Sequence, residues 1–456
     1  MFTSDVADAS ASEALYSQSI NPQWVRLLNT LQMNVRYRRC EGAILHTEDG
    51  RRIVDFLSGY CVHNAGHNHP AIIQALKDEL DRRGPAMLQS HVPELAGELA
   101  AKLCERAGGR LTKAFFACSG SEGVESAIKF ARATTKRNAL LSAKAAFHGL
   151  TCGALSLMDD PFWKDGFGPM LANTDTVAFG DLADLEQKLA TRQFAAYIVE
   201  PLQSEAGIVV APPGYLKAAC DLCHRYGTLF VLDEVQTGLY RTGKFLASQH
   251  EPGVDADMIV LAKALSGGLI PVSALLMTDK VYESVYTSLK RSIVHTSTFS
   301  ENSMSMRAGL ATLDVLEQEN LGERSLAMGE FLRGLLREKL AGYEMVAGVT
   351  GLGLLNGVQF ATPKSLKLRA GFEAFKAIHP GMFGQVIVMR LFRDHGFLAQ
   401  ICGNNFMTLK VAPPLVIEES DVVAFAEALS EIVDAMHNST SFWTEALGLA
   451  RRVINV

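Results

Sequence analysis

The sequence of 456 residues has few of the features that mark membrane, secreted or nucleic-acid-binding proteins. No apolar run reaches the roughly 18 residues of a membrane-spanning helix, and the amino-terminal residues lack the basic stretch and apolar core of a secretory signal. Eight irregularly spaced cysteines are typical of free thiols in a reducing compartment. The net charge of −6 offers no basic surface for nucleic acid. We expect a cytoplasmic protein without membrane or nucleic-acid partners.

Internal repeats and low-complexity tracts are also missing, so the length predicts two or three ordinary domains. We divide the chain into an amino-terminal segment with part of a small domain (1–85), a large domain (86–310) and a carboxy-terminal small domain (311–456). In the first segment, apolar stretches at 44–48 and 51–56 flank Asp49 and Gly50, which predicts a hairpin.

Short apolar runs alternate with amphipathic helices between residues 114 and 280. The predicted strands are 114–117, 197–199, 229–232, 258–261 and 272–277, and the predicted helices include 121–135 and 214–226. This alternation predicts an α/β fold with a mostly parallel sheet and helices on both faces. Beyond residue 302, long helices around strands at 353–360 and 406–412 indicate a smaller α+β domain.

Charged residues stand at the ends of several predicted strands: Glu200, Asp233, Glu234 and Lys263. In parallel sheets this edge is where ligands bind. A lysine here is either a solvated side chain or an amine nucleophile in a partly desolvated site.

The segment 118–123 joins a strand to a helix through serine and glycine. It is either an ordinary helix cap or a cradle for an anion. Taken together, a phosphate cradle, a strand-end carboxylate and a strand-end lysine are what pyridoxal phosphate requires.

With these residues, the chain resembles the class III pyridoxal-phosphate aminotransferases, which include the ornithine, acetylornithine, 4-aminobutyrate and putrescine enzymes. The matching stretches come in the family's order at 56–70, 118–132, 147–151, 199–212, 232–245, 257–268, 297–299 and 409–415. The resemblance covers residues 30 to 436. It implies the fold-type I architecture, with a seven-stranded large-domain sheet and a small domain, and a homodimer with shared active sites.

The resemblance also implies roles at the matching positions. Lys263 is expected to hold the cofactor aldehyde carbon and then move the substrate Cα proton, and Asp233 to pair with the pyridine N–H. The remaining cofactor residues are Gly120 and Ser121 at the phosphate, Phe147 stacked on the ring with His148 adjacent, Gln236 near the phenolic oxygen, and Thr298 at the phosphate of the neighbouring subunit.

The substrate side departs from the family pattern. Leu150 stands where ornithine-type enzymes have arginine, and an apolar side chain cannot clamp a carboxylate. Lys410 replaces a frequent arginine and keeps the charge without the planar fork; its presumed partner is Glu205. Tyr60 matches a substrate-facing position, although a buried aromatic is the alternative. These residues predict transamination from a primary amine or ω-amino acid, such as a diamine, to a 2-oxo acid, with 2-oxoglutarate as the expected acceptor.

Other functions stay open at this stage. An aminomutase or a decarboxylase of the same family would use the same cofactor residues. Gly238, Gly243 and Lys244 have the spacing of a nucleotide-binding P-loop, but Phe245 replaces the hydroxyl that binds Mg²⁺. A scaffold without activity is a further alternative. The presence of all the cofactor residues in the sequence argues against it.

We expect no metal site, because His67 and His69 have no further ligand nearby in sequence. Cys220 and Cys223 fall on the apolar face of a helix, which favours core packing over redox chemistry. The tail beyond 437 predicts an amphipathic helix that covers a dimer or meets a partner.

Overall fold

The structure, a computed structural model, describes residues 13–88, 90–378, 381–403 and 407–454. Its labelled helices are α1 (Pro22–Thr30), α2 (Pro70–Arg82), α3 (Glu94–Ala107), α4 (Gly120–Thr135), α5 (Cys152–Ser156), α6 (Pro161–Lys164), α7 (Leu182–Leu189), α8 (Tyr215–Tyr226), α9 (Asp279–Val285), α10 (Ser303–Gln318), α11 (Leu321–Lys339), α12 (Leu366–Ile378), α13 (Phe383–His395), α14 (Glu419–Asn438) and α15 (Thr440–Ile454). None of the helices in these ranges is long and apolar enough to span a membrane.

The strands form three larger sheets and one short ribbon. They are β1 (Tyr37–Glu41), β2 (Ile44–Thr47), β3 (Arg52–Asp55), β4 (Leu111–Ala117), β5 (Ala139–Ala143), β6 (Thr174–Val177), β7 (Phe194–Val199), β8 (Leu202–Gln203), β9 (Val209–Val210), β10 (Leu229–Asp233), β11 (Met258–Leu261), β12 (Ser273–Thr278), β13 (Val346–Leu352), β14 (Leu355–Phe360), β15 (Phe397–Leu398), β16 (Gln400–Cys402) and β17 (Thr408–Val411).

The central sheet has seven strands in the order β4-β12-β11-β10-β7-β5-β6. All pairs from β11 to β6 are parallel, and β12 runs antiparallel to both of its neighbours. Every residue of β7, β10, β11 and β12 is buried, as expected of strands covered on both faces. The predicted mostly parallel seven-stranded sheet is confirmed.

Successive side chains of each central strand enter two different cores. Val231 of β10 packs in a cluster with Val124 of α4, while its neighbour Phe230 lies in a cluster with Leu216 and Cys220 of α8. Helices therefore cover both faces, as the sequence pattern predicts. Cys220 and Cys223 are buried in this second core, so their spacing serves packing.

A four-stranded antiparallel sheet, β13-β14-β17-β16, forms the centre of the carboxy-terminal part. A separate sheet of β1, β2, β3 and β15 joins the two ends of the chain. In it the predicted hairpin pairs Ile44 with Val54, and Val54 pairs in parallel with Phe397. The boundaries at 85 and 310 remain our proposed division; α10 crosses position 310.

The tail helix α15 packs on its own chain. The Trp443 ring stacks on Phe383 with centroids 6.1 Å apart, and its indole N–H donates to the Met436 carbonyl at 2.9 Å. Phe442 is fully buried. This contact with α13 and α12 accounts for the apolar face that the sequence left unassigned.

Stacking between Phe56 and Phe425 fastens the amino-terminal segment to α14, with centroids 4.0 Å apart. We predict that Phe425→Ala lowers the free energy of unfolding by about 3–5 kcal/mol, because it leaves a cavity beneath both ends of the chain. Urea denaturation measures the change. Phe162→Ala is the control, since Phe162 is 68% exposed and its loss should cost about 0.5 kcal/mol or less. Equal effects of the two substitutions would contradict this packing.

Candidate active site

A cavity of about 430 Å³ opens at the carboxyl ends of the central strands. Residues that follow β4, β5, β7, β10 and β11 line it, because parallel strands bring their carboxyl ends to one edge. Eight of the predicted site residues are among its walls: Gly120, Ser121, Phe147, His148, Glu205, Asp233, Gln236 and Lys263.

The first turn of α4 forms one wall. Ser119 and Glu122 make a capping box, in which the Ser119 hydroxyl accepts from the Glu122 N–H at 3.2 Å and the Glu122 carboxylate accepts from the Ser119 N–H at 3.1 Å. A Cβ on Gly120 would lie 2.9 Å from the Val235 side chain, so only glycine leaves the backbone accessible. A helix amino terminus without side-chain obstruction fits a phosphate group.

A buried carboxylate faces the cavity from the end of β10. Asp233 Oδ2 accepts from His148 Nδ1 at 2.8 Å, and its Oδ1 accepts from the Val235 N–H at 3.1 Å. Burial opposes ionisation of His148, but the hydrogen bond to Asp233 outweighs it and raises the pKa of His148. His148 Nε2 has no hydrogen-bond partner among the described residues. A fixed buried carboxylate fits the protonated nitrogen of a pyridine ring.

Lys263 follows β11 and begins a 3₁₀ turn with a φ of 45°. Burial lowers the pKa of its amine, and nearby Cys61 and Glu205 only partly oppose that shift. A lowered pKa increases the fraction of neutral amine, which is the nucleophilic form. Lysine, carboxylate and helix terminus therefore surround one space of the size and chemistry that pyridoxal phosphate requires.

Lys410 of β17 forms a buried ion pair with Glu205. Its fully buried ammonium group donates to the Glu205 carboxylate and, at 3.3 Å, to Gln236 Oε1. Burial alone would raise the pKa of Glu205, but attraction to Lys410 lowers it below its usual range. Burial likewise disfavours the charge on Lys410, and Glu205 raises the pKa of Lys410 well above its usual range. The pair is charged. Lys410 connects it to Gln236, which is one of the cavity walls.

Tyr60 lies on an unusual left-handed turn. Ser58, Gly59, Tyr60 and Cys61 have φ values of 53°, 57°, 63° and 65°, which cost about 1–2 kcal/mol at each non-glycine residue. Asp55 stabilises the turn by accepting the N–H groups of 57 and 58 at 2.8 Å each. The turn exposes 41% of Tyr60, so the alternative of a buried aromatic is wrong.

The Tyr60 ring stands over the ammonium group of Lys410, 5.9 Å from it. Its hydroxyl accepts from the Gln400 amide at 3.3 Å. Gln400 is the cross-strand partner of Lys410, so the three side chains form one group. Gln400 carries no sequence signal of its own and was not predicted.

Four predicted residues are not among the cavity walls: Tyr60 and Lys410, described above, and Leu150 and Thr298. Leu150 is 54% exposed, and its backbone N–H donates to the Ser121 hydroxyl at 3.3 Å. Thr298 lines a second cleft of about 960 Å³, between residues 79–95 and 282–303. Three exposed apolar side chains line that cleft: Met87, Leu88 and Ile293.

Glu200 is a cavity residue that the predicted set omits. It ends the buried run of β7 and is 5% exposed. Burial raises the pKa of Glu200 to about 7, although His148 opposes that shift. Its position at a strand end was the available signal.

The P-loop spacing serves a structural purpose. Arg241, fully buried, donates to the Asn64 side chain and to the carbonyls of Leu354 and Pro413, while Lys244 donates to the Gln249 carbonyl. His67 pairs with Asp55 and His69 with Glu319. Within the described ranges no group of three or more potential ligands could hold a metal ion.

Comparison with known proteins gives one family. The sequence model described as "Aminotransferase class-III" matches residues 28–433. "Aminotransferase PigE" of a Serratia species is 34% identical over 92% of this chain, which spans only 53% of that relative's length. Putrescine aminotransferase of Pectobacterium atrosepticum is 34% identical over 88% of this chain and 82% of its own. The solved ornithine aminotransferase of Toxoplasma gondii has a TM-score of 0.78 at 28% identity, covering 88% of this chain and 91% of its own.

Removing the carboxylate from the buried pair should leave Lys410 charged without its main partner. Breaking a buried pair costs about 3–5 kcal/mol; because the Glu205 side chain is 30% exposed, we predict about 2 kcal/mol for Glu205→Gln. The double variant Glu205→Gln/Lys410→Met should regain about 1 kcal/mol, since no buried charge remains. Urea denaturation of wild type, Glu205→Gln, Lys410→Met and the double variant gives the coupling free energy between the two side chains. Simple additivity of the two single substitutions would contradict a stabilising pair.

Proposed function

The chain belongs to the class III aminotransferases, and we propose that it transfers an amino group from a primary amine or ω-amino acid to a 2-oxo acid, with 2-oxoglutarate as the acceptor. The family establishes pyridoxal-phosphate-dependent transamination as the reaction. The observation that carries the residue assignment is the convergence of Lys263, Asp233 and the first turn of α4 on one cavity.

We assign the cofactor contacts from these walls. Gly120 and Ser121 would hold the phosphate, Phe147 the ring face, and Gln236 the phenolic oxygen, with His148 supporting Asp233 at the pyridine nitrogen. When bound, pyridoxal phosphate supplies the aldehyde that takes up the amino group and the ring that accepts the Cα electron pair. Asp233 keeps the ring nitrogen protonated, and its bond to His148 fixes its orientation.

Lys263 does the proton transfer in this proposal. Its amine would take the proton from the substrate Cα and deliver it to the C4′ carbon of the cofactor, which requires the neutral form that burial favours. A positioned side chain of this kind contributes about 10²–10⁴-fold in rate. Lys263 is therefore the residue on which turnover depends.

The predicted substrate residues support this substrate class. Leu150 offers no cation for a carboxylate near the reacting amine, which favours a diamine or another primary amine. Lys410 is the cation available to the carboxylate of the 2-oxo acid, and Glu205 neutralises it when that carboxylate is absent. Tyr60 would complete this side with its hydroxyl.

An absorbance titration tests the donor and the reaction together. Holoenzyme should lose its visible cofactor band with a reactive donor among ornithine, putrescine, 4-aminobutyrate, a long-chain amine and glutamate, and regain it with 2-oxoglutarate. We expect putrescine or the long-chain amine to react faster than ornithine. Lys263→Ala should keep the fold and abolish turnover. Normal turnover by that variant, or no band after addition of pyridoxal phosphate, would refute the assignment.

We further propose a cytoplasmic homodimer in which Thr298 completes the active site of the neighbouring subunit. Thr298 lines the second cleft rather than the candidate active site. The exposed apolar side chains around it form a patch of the kind that marks an interface. A second copy of the chain would cover the patch and bring Thr298 to a phosphate.

Subunit mixing tests this arrangement. Thr298→Ala should weaken cofactor binding about 10-fold, the loss of one hydrogen bond to a charged group. Mixing it with Lys263→Ala should restore activity after subunit exchange, because one site of the hybrid has both Lys263 and Thr298. A monomeric mass in solution, or no recovery on mixing, would contradict shared sites.

A further inference from the structure

Two loops from different strands form adjacent walls of the cavity. Residues 144–149 follow β5 and carry Phe147 and His148, while residues 204–208 follow β8 and carry Glu205. The first loop faces the proposed cofactor ring, and the second holds the carboxylate of the Lys410 pair. Their relative placement decides how substrate and ring meet.

Glu200 lies between the two loops and bonds to both. One carboxylate oxygen, Oε1, accepts from the Phe147 N–H at 3.0 Å, and the other, Oε2, accepts from the Ser204 N–H at 3.2 Å. Phe147 is itself a predicted site residue, and Ser204 immediately precedes Glu205. Each bond therefore fixes backbone at or next to a functional side chain.

We propose that Glu200 is a positioning residue that couples the cofactor wall at Phe147 to the substrate-carboxylate pair at Glu205. The inference rests on the proposed function of this cavity. Both bonds need acceptors on one side chain, and a carboxylate alone among the side chains of this length provides two. Glutamine has one acceptor oxygen, and its NH₂ group would face the other N–H donor.

The surroundings show that ordinary core packing does not explain this carboxylate. Burial and the nearby Asp233 both disfavour its charge, and His148 favours it. A strongly perturbed carboxylate that lines a cleft and bonds to two of its loops is a candidate functional residue. A second tie, from the Gln203 amide to the Lys144 carbonyl at 2.8 Å, keeps the two loops together, so replacing Glu200 should alter their placement without separating them.

Glu234 provides a matched control. It also follows a buried strand, is 1% exposed, and accepts two backbone N–H groups, from Ala247 at 2.9 Å and Ser248 at 2.8 Å. The residues that it fixes do not line the cavity. Glu234→Gln therefore removes the same chemistry from a carboxylate whose backbone hydrogen bonds reach neither of the two loops.

The experiment compares Glu200→Gln, Glu200→Asp and Glu234→Gln as holoenzymes with wild type. We measure the visible circular dichroism of the bound cofactor, which reports ring orientation, together with KM for 2-oxoglutarate and kcat. For Glu200→Gln we expect an altered dichroism and an approximately 10-fold higher KM, the effect of one lost bond to a charged acceptor. Glu200→Asp keeps both acceptors and should lie between Glu200→Gln and wild type. Glu234→Gln should lower Tm alone.

The coupling is supported if Glu200→Gln changes both the visible circular dichroism and KM for 2-oxoglutarate, while Glu234→Gln changes neither. Wild-type values for both readouts, or a change in only one of them, would overturn it. If Glu200→Gln does not fold, Glu200→Asp decides between the same outcomes. Absence of transamination in wild type with every donor would refute the proposed function instead, so the two failures are distinguishable.

Discussion

Burial of charge at the carboxyl edge of the central sheet is the constraint on which the rest of this structure depends. Glu200, Asp233 and Glu234 each end an apolar strand, and each is almost completely withdrawn from water. A buried carboxylate is tolerated only when hydrogen bonds replace its hydration. Backbone N–H groups of nearby loops provide most of those bonds, and the bonds to Glu200 and Asp233 also fix loops that form the cavity.

Features that depend on local sequence could be predicted, and features that depend on distant pairing could not. The buried strand Met258–Leu261 and helix α4 follow from apolar periodicity within one segment. Strand β6 (Thr-Asp-Thr-Val) has no apolar run, and the apolar residues of β5 (Ala-Leu-Leu-Ser-Ala) form only a short run that a serine interrupts, so neither strand was predicted. The pairing of β3 with β15 joins residues more than 340 positions apart, which no local pattern encodes.

The candidate active site shows the same contrast between features set by local sequence and features set by distant contacts. Residues at strand ends were identified because the fold class brings those ends together, and the family resemblance supplied their roles. The contacts among them had to be observed: Asp233 bonds to a histidine 85 residues away, and Lys410 to a glutamate 205 residues away. Gln400 was missed as a site residue, since its significance lies in what surrounds it and not in a motif, and Glu200 was noticed at a strand end without being given a role.

The left-handed turn at 58–61 restricts which side chains the chain can accept at position 60. Three of its four residues are not glycine, and each holds a backbone conformation that β-branched side chains strongly disfavour. Many codons at position 60 would therefore yield poorly folded protein before any selection on activity began. Position 150 has an exposed side chain and carries no such restriction. Substitution is accordingly less restricted by the backbone at Leu150 than at Tyr60.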